Sequence, residues 1–321
     1  METHGNFSPS PMPRLGDWKL LTRSGLRLEM TTQFDSEIFE RFFEAYDRAF
    51  ILPNEKEEKT GFQDALALNQ GSLSAQLVRT YGPFREVCLL AFDGPTVVGG
   101  ANFFVASATD RSGGQFVTSN LNYVYTTPEQ RGRGYFRPLL DSITQVIQDL
   151  FVGVYGSATP VLVFIEQNDP FRLSAAQYEL DTRVSGVDQF ERLYIWARVG
   201  ARLLLHPYVQ PALSDSQAAD ETLVYSVLDK DRTTVDPELL KQHLERFFAV
   251  SILKGQPLET RPIALAQLAR LDELAKAHQI IGVFDPTLWL SKCLAQTDRF
   301  AQWVQRPKSL IEATGLIGDG A

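Results

Sequence analysis

The chain has 321 residues, 44% hydrophobic and 22% charged, which excludes a disordered or collagen-like protein and suffices for one large domain or two modest ones. Lys and Arg number 31 against 39 Asp and Glu, a formal net charge of -8, so the molecule lacks the positive field of a general nucleic-acid binder and no such partner is expected. Two cysteines and four histidines make neither a disulfide framework nor a ligand cluster, so no metal is expected and the cytoplasm is the expected compartment.

The opening residues, METHGNFSPSPMPRLGD, lack the apolar stretch of a signal peptide, and 1–30 reads as a flexible leader followed by a first strand. Apolar runs fall far short of the ~20 residues that cross a bilayer, so no membrane partner is expected. Ile38, Phe39, Phe42, Phe43, Tyr46 and Phe50 recur at three and four behind Asp35 and Ser36, which predicts an amphipathic helix over 36–50. A weaker helical pattern covers 73–81. Asp93-Gly94 between two apolar runs predicts a hairpin over 85–105, because that dipeptide accepts positive φ cheaply. Over 116–126, Leu121, Tyr123 and Tyr125 alternate with Asn120 and Asn122, giving a strand with two unlike faces.

PEQRGRGYF comes next, then a helix with the stripe Phe136, Leu139, Leu140, Ile143, Val146, Ile147 and Leu150. The run PVLVFIEQNDP, 160–170, is apolar on both faces, the mark of a central strand. A polar loop, a helix near 187–199 ending at Gly200, and two closing strands in ARLLLHPYV and ETLVYSVL follow. From about 232 the pattern is wholly helical. Leu240, Leu244, Phe247 and Phe248 mark one helix, Leu265, Leu268, Leu271 and Leu274 a second, and Asp285-Pro286 opens a third.

The informative stretch is 120–151, where a strand runs into a loop containing Gly132 and Gly134 that opens a helix. Amides freed by the glycines, with the helix dipole behind them, make an anion cradle suited to phosphate. No Gly-Lys-Ser/Thr follows, and Arg137 stands where a dinucleotide fingerprint needs glycine. A solvated basic turn is the alternative reading of RGRG.

Arg131, Gly132, Arg133, Gly134, Tyr135 and Phe136 resemble the signature of the GNAT acyltransferase superfamily, Arg/Gln-x-x-Gly-x-Gly/Ala, departing from it at Phe136. FILPNE (50–55) is similar to a stretch of some members. FERLYIWARVGARLLLHPYVQP (190–211) looks like the family's tyrosine-bearing helix and following strand, and aligning Gly200 puts Trp196 where the thiolate-protonating tyrosine usually sits. Tyr194 is two residues away, about 200° around a helix. The resemblance covers about 31–231 and implies an α/β (α+β) fold, a mixed, largely antiparallel twisted sheet flanked by helices; it says nothing about 232–321, which its own pattern makes a helical C-terminal extension.

It also implies acetyl-CoA as donor and direct acetyl transfer to a primary amine of a small molecule or peptide. The amides of Arg131 to Phe136 would hold the pyrophosphate, and a splayed strand at Tyr125, Thr126 and Thr127 would supply donors to the oxyanion. Where some members keep a glutamate base, this chain has Asn120, which accepts no proton at neutral pH. Glu166, at the carboxyl end of the apolar strand, is the candidate base, its alternative being a solvated glutamate that opens a loop. Tyr194 and Tyr208 are candidate acids, or half-buried packing residues. Asn168 falls where the family contacts the pantetheine arm, and Trp196 could line the acyl pocket. The insertion 169–187 and the C-terminal extension are expected to shape the acceptor pocket or a homodimer contact. A non-catalytic CoA-binding module is the competing class, motivated by Asn120 and Trp196.

Overall fold

The computed structural model describes residues 13–51, 56–212, 217–295 and 307–315. The first twelve residues of the expected leader and most of FILPNE lie outside them. Two strands, not one, precede residue 32: β1 (Asp17–Leu21) and β2 (Arg27–Thr31) pair antiparallel at one edge of the sheet. The buried guanidinium of Arg85 ties down the entry to β1 by donating to the Pro13 and Arg14 carbonyls.

The predicted elements then follow in order. Ser36 accepts from the Ile38 amide and starts α1 (Glu37–Ala49). Next come α2 (Lys59–Ala67), which the periodicity did not announce, and α3 (Gly71–Tyr81). The hairpin is β3 (Phe84–Asp93) and β4 (Thr96–Thr109), with Gly94 at φ +56 in its turn. After β5 (Gln115–Thr126), α4 (Phe136–Tyr155) and β6 (Val161–Asn168), the expected polar loop contains a helix, α5 (Ala175–Ser185). Its polar composition hides a complete capping box between Ser174 and Gln177. The chain continues with α6 (Gln189–Arg198), β7 (Ala201–Leu204) and β8 (Leu223–Leu228).

Residues 232–321 are not wholly helical. Besides α7 (Pro237–Phe247), α8 (Pro262–Lys276), α9 (Thr287–Leu294) and α10 (Leu310–Ala313), they supply β9 (Thr234–Val235) and β10 (Ile281–Phe284). Strands this short carry no readable alternation, and they form because β10 pairs with β7. One open sheet runs β1-β2-β3-β4-β5-β6-β8-β7-β10-β9. Its paired strands are antiparallel except β5 and β6. The mixed, largely antiparallel sheet flanked by helices is thus the architecture found.

Each face has its own apolar cover. On one, Leu139, Ile143, Val146, Ile147 and Phe151 of α4 pack on Val87, Leu89, Val105, Val117 and Val163. On the other, Phe39, Phe42, Tyr46 and Phe62 cover Cys88, Leu90, Phe92 and Tyr125. The rest of that second face lies under the C-terminal extension, where Leu240, Leu244, Phe247 and Phe248 join Phe104, Leu162, Phe164 and Tyr225 in one cluster. No described helix is long and apolar enough to cross a membrane.

Gly99 and Gly100 face Thr126 and Tyr125 in the ladder that leads to the loop. A Cβ on Gly100 would stand 2.5 Å from Tyr125 Oη and 2.7 Å from the Leu89 carbonyl, so Tyr125 occupies space that only glycine leaves. Gly100→Ala is expected to cost about 2 kcal/mol or more in urea unfolding. Adding Tyr125→Phe should recover only part of it, because the Leu89 carbonyl cannot move aside.

Candidate functional site

The parallel pairing of β5 and β6 runs only from Val117 with Val161 to Asn120 with Phe164. Beyond it β6 stays paired with β8 through Asn168, and β5 stays paired with β4 through Thr126. The sheet is therefore split between residues 121–126 and 165–168. A register shift in the β4–β5 ladder, where Asn102 faces Tyr123 and Phe103 faces Leu121, leaves Asn122 as a bulge at the start of the split. Thr127 N–H donates to the Val98 carbonyl. By alternation the N–H and C=O groups of Val124 and Thr126 point away from β4 and into the gap.

At the end of β5 a single 3₁₀ turn, Pro128–Gln130, feeds the glycine loop, and α4 starts at Phe136. Gly132 and Gly134 have φ of +75 and +85, and a Cβ on either would meet nothing within 4 Å. Among the described residues the amides of Gly132, Gly134, Tyr135, Phe136 and Arg137 have no intramolecular acceptor. The dipole of the 20-residue α4 stands behind them. Arg131 and Arg133 are exposed and have no carboxylate partner among the described residues. Free amides, two guanidiniums and open space fit a pyrophosphate.

Tyr135 turns its phenol away to Asp93, donating over 2.7 Å, and this bond holds the hydroxyl above its ordinary pKa. Tyr125 is buried under α1 and donates to the Phe42 carbonyl, and the Thr127 hydroxyl donates to the Val97 carbonyl, so both line the split through their backbone. Phe136 and Trp196 meet edge to face at 4.9 Å. The large residue at the family's Gly/Ala position and the tryptophan at its tyrosine position thus fill one space together. Arg137 donates to the Arg198 carbonyl and fastens the end of α6 beside the start of α4.

Tyr194 lies on the other side of α6, in the cluster with Trp289 and Leu290 of α9, with Arg198 over its ring. The structure does not bring it to Glu166. Asn168 donates from Nδ2 to Asp181 of α5 at 3.1 Å, so its amide braces the insertion.

Glu166 does gather a site. Its carboxylate is half-buried and accepts from Tyr208 Oη, and the side chains of Asn120 and Gln210 stand near enough to favour its ionised form. Burial raises its pKa to about 7 against these donors. A polar line crosses the same face: Tyr225 Oη donates to Asn120, Asn120 to Asn122, and Asn122 to Asn102, with separations of 2.6, 2.9 and 2.9 Å. Asn102 in turn donates to Glu86 at 3.5 Å and to the Val87 carbonyl at 3.2 Å, and Ser251 donates to Glu86 from the far side. Glu86 is wholly buried, which pushes its carboxyl up to about 7. Ser251 belongs to a π-helical turn, Phe248–Ile252, that continues α7.

Glu86, Asn102, Tyr225 and His243 were missed as site residues in the sequence. The readable signal was a lone polar residue inside an apolar strand: Glu86 before VCLLAF and Asn102 before FFV. No group of three or more His, Cys, Asp or Glu that could hold a metal occurs among the described residues.

No protein-family model and no curated protein matches the chain. Among solved structures it is similar to a protein described as a GNAT-family acetyltransferase from Desulfovibrio desulfuricans, 17% identical, covering 68% of this chain and 99% of that one, TM-score 0.32. It is also similar to the ribosomal-protein-S18-alanine N-acetyltransferase of Escherichia coli, 11% identical, covering 63% of this chain and 92% of that one, TM-score 0.31. A third is an acetyltransferase from Salmonella typhimurium with its cofactor acetyl-CoA, 13% identical, covering 68% and 97%, TM-score 0.29. Values this low leave the functional reading to rest on the chain's own geometry. That geometry is a largely antiparallel sheet that splits where β5 and β6 part, with a glycine loop before a helix at the mouth of the split.

The two raised carboxyls make stability fall as pH rises, against buried His243 and half-buried His206, whose pKa values burial lowers to about 3 and about 4 and which add stability as pH rises towards the ordinary histidine value. A carboxyl at about 7 in the folded chain and at its ordinary value in the unfolded chain binds more protons when folded, so stability falls as pH rises through that window. Glu86→Gln is expected to be more stable than wild type at pH 8 by up to about 3 kcal/mol, and equal to it near pH 4. Denaturant titrations at several pH values check this, with a smaller decline left over from Glu166.

Proposed function

We propose that the protein is a GNAT-type acyl-CoA-dependent N-acetyltransferase, moving an acetyl group from acetyl-CoA to a primary amine of a small molecule or peptide. One juxtaposition carries the reading: a nest of unpartnered amides at the start of α4 opens onto a sheet split with Glu166 on its far wall. The loop Arg131–Gly132–Arg133–Gly134–Tyr135–Phe136 would hold the pyrophosphate, and the backbone from Val124 to Thr127 would face the arm and the thioester oxygen. Glu166 would take the proton of the attacking amine. As nitrogen bonds to the acetyl carbon the carbon–sulfur bond breaks, and CoA leaves as a thiolate that solvent protonates, since Trp196 has no proton to give there. The core of this activity is placed in 31–231.

The test is release of free CoA thiol from acetyl-CoA with a panel of amines, beside calorimetric binding of CoA. kcat/KM is expected to rise with pH through an apparent pKa of about 7, because the carboxylate form is the base. Glu166→Gln should remove that limb and lower the rate at pH 8 by about a hundredfold or more. Gly134→Glu should abolish CoA binding, with Gly134→Ala as the control for the left-handed backbone. CoA binding without turnover across the panel would instead make the protein a binding module, and absence of both would end the proposal.

A further inference from the structure

Asn120, which stands beside Glu166, is connected to the C-terminal extension by a short line of hydrogen bonds whose direction is fixed. Asn120 Oδ1 accepts from Tyr225 Oη at 2.6 Å, its Nδ2 donates to Asn122 Oδ1 at 2.9 Å, and the same amide stands beside Glu166 and holds its pKa down. A phenol has one hydrogen, and here it goes to Asn120. The 2.8 Å contact between Tyr225 Oη and His243 Nε2 therefore requires the imidazole to donate from Nε2. The neutral Nε2–H tautomer and the imidazolium both supply that donor, and burial selects the neutral ring: His243 has no exposure, and its pKa is pushed down to about 3. Nδ1 is then a bare acceptor, and among the described residues it has no partner. Tyr225 is held between neighbours, stacked on Tyr208 at 4.5 Å and on Phe164 at 5.5 Å. Its hydroxyl has a fixed direction.

We infer that His243 and Tyr225 are positioning residues for Glu166: helix α7 orients the Asn120 amide through Tyr225, so that its NH₂ end and not its carbonyl faces the carboxylate. Donation from Asn120 favours the ionised base, whereas an amide free to turn would set a carbonyl oxygen against it. The C-terminal extension is thereby part of the site's machinery. The inference rests on Glu166 being the base of the proposed reaction.

Glu166 is faced by Tyr208, Gln210 and Asp220 from the connection between β7 and β8, by Asn120 and Tyr123 from β5, and by Tyr225 from β8. His243 is faced by Arg246 of its own helix and by the rings of Tyr225, Phe164 and Phe247. Substituting Tyr225 or His243 leaves the other charged groups in place.

The experiment titrates the full chain, labelled with ¹³C at glutamate carboxyls, from about pH 5 to 9, Glu166 being the resonance lost in Glu166→Gln. Tyr225→Phe, which removes one oxygen and keeps the stack, and His243→Leu are each expected to raise the Glu166 midpoint by about half to one pH unit. His243→Gln supplies an amide donor and should return it towards wild type. The limb of kcat/KM should move equally, giving a rate roughly three- to tenfold lower near pH 6 that converges with wild type at high pH. Melting temperatures identify variants that have not folded. An unmoved midpoint in folded Tyr225→Phe and His243→Leu overturns the inference even where acetyl transfer is observed. A shifted midpoint in a chain that transfers no acetyl group supports the positioning of Glu166 and overturns the reading of function.

Discussion

Everything distinctive in this molecule follows from the place where β5 and β6 stop pairing. Four residues of parallel ladder, ending at Asn120 and Phe164, hold the two halves of the sheet together. Past them each strand keeps its outer partner, so neither can close the gap without breaking an antiparallel ladder. Backbone groups of Val124 and Thr126 are left facing open space inside an otherwise complete sheet. Groups of that kind are costly to bury unpaired, and an extended polar ligand laid in the split would satisfy them.

The same break explains the polar line on the second face. Asn102, Asn122 and Asn120 stand in adjacent strands around the bulge, and each amide can donate to one neighbour and accept from another. A run of amides satisfies itself in this way where aliphatic side chains would have to fill a changing width. Its two ends are Glu86, held by Ser251 of the π-helical turn, and Tyr225, held by His243 of α7. Both closures come from the C-terminal extension, so the extension completes the interior of the sheet as well as covering it.

Electrostatics divides the site by surroundings. The loop end is exposed, with Arg131 and Arg133 lacking a carboxylate partner among the described residues and Arg131 donating to the Ala49 carbonyl at 3.4 Å. The Glu166 end is enclosed by tyrosines, where burial holds a carboxyl near neutrality. The acidic balance of the whole chain is thus compatible with one basic loop. The remaining cover pairs Phe136 at the start of α4 with Trp196 of α6, two large rings from different helices that meet in space.

Sequence alone determined the parts governed by local rules. The Asp93-Gly94 hairpin, the stripe of α4, the two-sided apolar run of β6 and the RGRG loop before a helix are set by periodicity and by residues that tolerate positive φ, and each stands where the pattern placed it. Helix α5 escaped notice because its composition is polar and its start depends on a reciprocal cap, and β9 and β10 because they are too short to show a period. Tertiary structure decided what depends on partners far apart in the chain: that the sheet parts at Asn120, that Tyr208 and not Tyr194 meets Glu166, and that Glu86 and His243 are closed off from water. A side chain's spacing fixes the face it occupies, but its protonation and its hydrogen-bond partner are fixed by what the rest of the fold packs against it.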